Sequence, residues 1–193
     1  MKEEVILKNI SKHITLDEEE KKYFVSILHY KKLERGKILL MHGDVARHQY
    51  FVISGCLRNY SIDENGKEHI MNFAPADWWL SDLYSYLTES AAANIIDALI
   101  PTEVFEISKI DMEEVYVRIP KFERFFRILF QNAIVNQMKR IGQVISIPAE
   151  DRYKGFIKQY PGIYEHIPLK YIASYLGMSP EFLSKIRNKI AHT

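Results

Sequence analysis

Glu181, Ser184, Lys185 and Asn188 recur at i, i+3, i+4 and i+7, the spacing of one helix face. These residue types can read base edges, since a carboxylate accepts from a cytosine amino group and a lysine donates to guanine O6 or N7. A second set, Lys170, Tyr171, Ser179 and Lys189, brings cations and hydroxyls suited to phosphate oxygens. Such contacts position a protein on a duplex without choosing a sequence. The chemistry expected of both sets is recognition of double-stranded DNA.

The elements that must position them lie in residues 167–190, IPLKYIASYLGMSPEFLSKIRNKI. Ile172, Leu176, Leu183 and Ile186 fall at helical intervals on either side of Gly177, so two short amphipathic helices can close on one small core. Ala173 stands where the backbones approach, and Gly177 where the chain must reverse at positive φ. Ser179 is a natural N-cap with Pro180 at the first helical position and Glu181 in the first turn. This pattern predicts a helix-turn-helix. The competing reading is a ligand- or protein-interaction module without DNA activity, its C-terminal helical hairpin purely structural.

The formal net charge of +1 conceals an uneven distribution. From residue 151 onward seven Lys or Arg face three acids, whereas the first 150 residues hold 19 basic against 22 acidic side chains. A tail of +4 on a body of −3 is the electrostatic footprint of a small DNA-binding module. With 193 residues, 47% of them hydrophobic, the chain can bury a sizeable core. No apolar run approaches the roughly 20 residues of a membrane span, and the amino terminus lacks a signal-peptide core, so a cytoplasmic protein without membrane contact is expected. Cys56 is the only cysteine, which rules out an intramolecular disulfide. His42, His48 and His69 match no metal-ligand spacing, so neither metal nor cofactor is expected. No nucleophile elbow or phosphate loop organises the Ser, His and Asp residues, and no catalytic residue is assigned.

Ahead of the helical tail, KILLMH, HQYFVISG, CLRNYSID, HIMNFA, NIIDALI and EVFEIS read as short strands, with Asn65-Gly66 as a hairpin turn. Strands at this spacing suggest a barrel or jelly roll. Leu16 to Tyr30 reads as a helix behind an acidic start. Residues 121–145 form the longest helical pattern, with Phe122, Phe126, Leu129, Ala133, Met138 and Ile141 on an apolar stripe expected to be a homodimer seam. Ile147-Pro148 then breaks the helix. The expected organisation is a sensor domain at 1–115, a dimerisation helix at 116–146 and a DNA-binding domain at 147–193.

This order, with the segments LERGKILLMHGDVARHQYFVISGCLRNY and IPLKYIASYLGMSPEFLSKIRNKI, resembles the superfamily of the cyclic-AMP receptor protein and the fumarate and nitrate reduction regulator, Crp/Fnr. Gly36, Gly43, Asp44 and Gly55 match its turn positions, and Tyr50-Phe51-Val52 its following strand. The resemblance implies an α+β fold: an N-terminal cyclic-nucleotide-binding-like β jelly roll, a long dimerisation helix and a C-terminal helix-turn-helix. It further implies effector-controlled transcription, a palindromic site bound as a homodimer, and contact with RNA polymerase if the protein activates. The family's wing hairpin is expected to be lacking, since Thr193 follows the second helix closely.

The departures are specific. Where cyclic-AMP-binding members carry a Gly-Glu pair and later an Arg beside a small hydroxyl residue, this chain has Trp78, Trp79, Leu80, Ser81, Asp82 and Leu83, then Ala91, Ala92, Ala93 and Asn94. The arginine is missing, and a buried phosphodiester needs a cation. Cyclic AMP is therefore not expected to bind. Trp78, Trp79, Ser81, Asp82, Leu83, Ala92, Ala93 and Asn94 instead either form a pocket for an unidentified small-molecule effector or simply fill that space. Pro180 and Lys185 stand where the family often has arginines, so the half-site need not be the usual one.

Overall fold

The computed structural model describes residues 2–191. Two helices come first, α1 (Lys2–Ser11) and α2 (Glu18–Ser26). The second starts on a reciprocal cap in which the Asp17 carboxylate accepts from the Glu20 N–H and Glu20 from the Asp17 N–H. Eight strands follow: β1 (His29–Leu33), β2 (Ile38–Leu40), β3 (His48–Ser54), β4 (Cys56–Ile62), β5 (Glu68–Pro75), β6 (Trp79–Leu80), β7 (Ile95–Ala98) and β8 (Thr102–Ser108), with the short helix α3 (Leu83–Thr88) between β6 and β7.

The strands pair antiparallel in two sheets of four, ordered β1-β8-β3-β6 and β2-β7-β4-β5. Their inner faces meet over Leu33, Val52, Leu57, Ile96 and Val104, the buried heart of a jelly roll. The turn from β3 to β4 demands glycine. Gly55 has φ +87°, and a Cβ there would stand 2.4 Å from the Pro101 carbonyl. At the β4–β5 turn Asp63 Oδ1 accepts from the N–H groups of Asn65 and Lys67, which fixes the hairpin that Asn65-Gly66 announced.

Each sheet has its own outer cover. The first is covered by α1, α2, α4 (Lys109–Arg118) and the start of α5 (Lys121–Ser146), so that Phe51, Phe105 and Ile107 pack against Ile6, Ile10, Met112, Phe122, Phe125 and Phe126. The second is covered by α6 (Ala149–Gln159), α7 (Leu169–Leu176) and α8 (Pro180–Ala191). Cys56, Tyr60, Ile70 and Phe73 from its strands share one buried cluster with Tyr153, Phe156, Tyr160, Ile172, Tyr175 and Leu183 from those helices.

The expected helix over Leu16–Tyr30 ends at Ser26, and His29–Leu33 is instead β1, paired along its length with β8. Pairing with β8 outweighs the local pattern there. Ile147 and Pro148 do end α5, and Pro148 at once initiates α6. Among the described residues no helix is long and apolar enough to cross a membrane.

Candidate nucleic-acid interface

The turn between α7 and α8 is built as its residues require. Gly177 takes φ +66°, the Gly177 N–H bonds the Ser174 carbonyl and the Met178 N–H the Ala173 carbonyl, closing the end of α7. Ala173 is fully buried, and Ile172, Leu176, Leu183 and Ile186 are buried around it. The Ser179 Oγ accepts from the Phe182 N–H at 3.2 Å, so Ser179 is the N-cap of α8. From the other side the Arg152 guanidinium donates to the Leu176 carbonyl at 2.8 Å.

This packing turns Glu181, Lys185 and Asn188 outward, with Ser184 half-buried beside them. The four expected base-reading residues therefore share one side of α8, opposite Leu183 and Ile186. The backbone N–H of Glu181 itself, and then the Ser179 hydroxyl, hold the Glu181 carboxyl below the usual carboxylate range, so it is a charged acceptor. Phe182 is also exposed on this helix.

The expected phosphate contacts divide. Ser179 and Lys189 are exposed, and Lys189 meets Glu150 of α6 at 2.8 Å. Glu150 also holds Lys154 at 2.8 Å, and hydrogen bonds from Lys154 and Lys189 pull its carboxyl down to about 2. Tyr171 is half-buried against the barrel, and Lys170 is exposed but lies beside it. The ammonium of Lys170 lies 3.7 Å from Glu68, and the Tyr171 ring lies 4.3 Å from the guanidinium of Arg58.

Arg58 is the residue that sequence reasoning missed. It sits buried on β4, forks onto Asp97 at 2.8 and 2.9 Å, reaches Glu68 at 3.1 Å and stacks on Tyr60 at 4.0 Å. Burial works against its charge, but Asp97 and Glu68 more than offset that, and its pKa lies above the ordinary value. The one signal was positional: an arginine alternating with Cys56 and Tyr60, whose side chains join the cluster on the outer face of β4.

The aromatic segment after β5 divides too. Trp79 is packed against Phe51, Phe125 and Phe126, and its Nε1–H donates to Asn9 at 2.9 Å. Buried Asp82 caps α3 by accepting from the Ser85 N–H at 3.1 Å and takes the Asn94 amide at 2.9 Å. Ser81 donates to the His48 carbonyl at 2.9 Å, Ala92 is buried and Ala93 exposed. The polar groups of Trp79, Ser81, Asp82 and Asn94 thus each have a partner in the chain. Trp78, Trp79, Ser81 and Leu83, but not Asp82, Ala92, Ala93 or Asn94, line a cleft of about 760 Å³ between the barrel, α5, α6 and α7.

The expected dimer stripe is split along α5. Phe122 and Phe126 belong to the chain's own core, Leu129 packs against it, and Ala133 borders the cleft. Met138 and Ile141 are exposed, in line with Ile134 and Ile145 at i, i+4, i+7 and i+11. That is a heptad row left exposed among the described residues.

Residues 30–118 match the family described as cyclic nucleotide-binding domain. Over nearly its whole length the chain is similar to curated regulators. The anaerobic regulatory protein of Pasteurella multocida is 24% identical over 190 residues, covering 91% of this chain and 68% of the relative. The fumarate and nitrate reduction regulatory protein of Vibrio cholerae is 26% identical over 186 residues, covering 89% and 73%. Among solved structures, FixK2 from Bradyrhizobium japonicum superposes with TM-score 0.73 at 14% identity over 86% of this chain and 85% of that one. The c-di-GMP-responsive global regulator CLP of Xanthomonas campestris gives 0.68 at 14% identity, over 91% and 92%.

Proposed function

We propose that this chain, whose residues 30–118 match the cyclic nucleotide-binding domain, is a transcriptional regulator of the Crp/Fnr kind that binds a palindromic duplex site as a homodimer. The observation that carries the reading is the face of α8. Glu181, Lys185 and Asn188 stand exposed on a helix whose opposite side is buried, at the end of a capped glycine turn. Lys185 donates to a guanine and Glu181 accepts from a cytosine, while Ser179 and Lys189 meet phosphates.

Two copies are joined along Ile134, Met138, Ile141 and Ile145, the open seam of α5. Pairing there supplies two α8 helices for two half-sites about one DNA turn apart. The cleft between barrel, α5 and the DNA-reading helices is the effector site of this reading. Ala133, Ile134, Gln137, Arg140 and Val144 line it, whereas Met138, Ile141 and Ile145 do not, so the seam borders the cleft at Ile134. In this reading cyclic AMP is not the ligand, because the segment that the resemblance aligns with the phosphate cassette carries Asp82, committed to Ser85 and Asn94, and lacks the family's arginine.

Replacing Lys185 by Ala tests the reading. Affinity for a selected site should fall by about 1–3 kcal/mol with the dimer intact. A loss of affinity between low and moderate salt separates phosphate contact from a module without DNA activity.

A further inference from the structure

In a helix-turn-helix the first helix crosses the DNA backbone, so the amino-terminal turn of α7 is where phosphate should run. In this chain the β5 edge of the barrel lies beside that turn, with Glu68 3.7 Å from the exposed Lys170. β5 is the outermost strand of its sheet, and its free edge is closed by helix side chains instead of a ninth strand. Ser174 Oγ accepts from the Ile70 N–H at 2.9 Å and donates to the Glu68 carbonyl at 3.0 Å. Arg140 of α5 donates to the carbonyls of Ile70 and Met71, and its guanidinium lies 4.4 Å from the Tyr175 ring. Below, Phe73 meets Phe156, Tyr160 and Tyr175 with ring centroids 5.5–6.0 Å apart.

The charges have the same logic. Glu68 presents a carboxylate to Lys170, and Arg58, itself held by Asp97 and Glu68, lies over the ring of Tyr171. Lys170 and Tyr171 are the two phosphate candidates at the start of α7. We propose that this docking is an autoinhibitory contact in which Glu68 stands in for a DNA phosphate at α7, so that barrel and duplex compete for one face of the helix. The proposal rests on the DNA-binding reading above.

The test uses the full chain, a random-sequence 30-base-pair duplex at low salt and two variants. Ser174→Ala removes both bonds to the β5 edge without touching a charge, and Glu68→Gln removes the carboxylate while keeping its shape. Each should bind the duplex about tenfold more tightly than wild type. Lys170→Gln added to Glu68→Gln should return affinity towards the wild-type value. Undocking has its own reporter. Cys56, the only cysteine, is buried under the docked helices with its thiol pushed up to about 12 by burial, so thiol labelling should quicken in both variants. If wild type and variants bind equally and in a salt-dependent way, autoinhibition is overturned and DNA binding stands. Should none of them bind duplex even at low salt, both proposals fall together. Tighter binding by Glu68→Gln without faster labelling also overturns docking, because it reduces the effect to charge alone.

Discussion

The two halves of α5 are apolar in the same way and fare differently. Phe122, Phe125 and Phe126 sink into the outer core of the first sheet, whereas Ile134, Met138, Ile141 and Ile145 run past the barrel with half or more of each side chain exposed. The helix is continuous over 26 residues, so the difference arises from what lies alongside. Periodicity announces that a helix has a face to bury, but not whether this chain or a second copy buries it.

That contrast can be broken most sharply at Phe122, fully buried and stacked on Phe24 at 4.6 Å. Phe122→Ala should cost about 3–5 kcal/mol of folding stability by urea unfolding. Met138→Glu combined with Ile141→Glu should leave the stability of the monomer, compared at protein concentrations below dimerisation, within about 0.5 kcal/mol of wild type. The same pair should abolish the dimer in sedimentation, and palindrome affinity should fall about a hundredfold as one half-site is lost. A large stability loss in the second variant would mean that the seam packs within the chain.

Smaller effects sharpen the account of the C-terminal helices. Ser179→Ala removes the cap of α8 and should cost about 1 kcal/mol in thermal unfolding, whereas loss of an uninvolved surface serine would cost almost nothing. Glu150 gives the smallest effect. Its folded pKa is depressed to about 2 from 4.5, so its contribution is present above 4.5 and is lost as pH falls through the range down to about 2. Glu150→Gln should flatten that part of the acid unfolding profile, as followed by circular dichroism.

Legibility differed by element for physical reasons. The helix-turn-helix was readable because Ala173, Gly177 and Ser179 each answer a local demand: close approach, left-handed backbone and an unfilled N–H. The six strands read from the sequence were likewise visible, since β-branched and aromatic runs sit between turn residues. β1 was not, because HYKKL is exposed over most of its length and is a strand only through pairing with β8. α6 went unread behind Pro148, which signals a break and a helix start alike. The site was half legible. The outward face of α8 follows from helical spacing, whereas the docking of Lys170 and Tyr171 depends on Arg58 and Glu68, about a hundred residues away and joined to α7 only in three dimensions.

Selection of bound sites from a pool of random duplex DNA by the intact protein tests the central claim most directly. The account predicts a two-fold symmetric consensus with half-sites about one helical turn apart, in which Lys185→Ala relaxes the preference at a guanine position. Recovery of no enriched sequence, or of a single unpaired half-site, would contradict it.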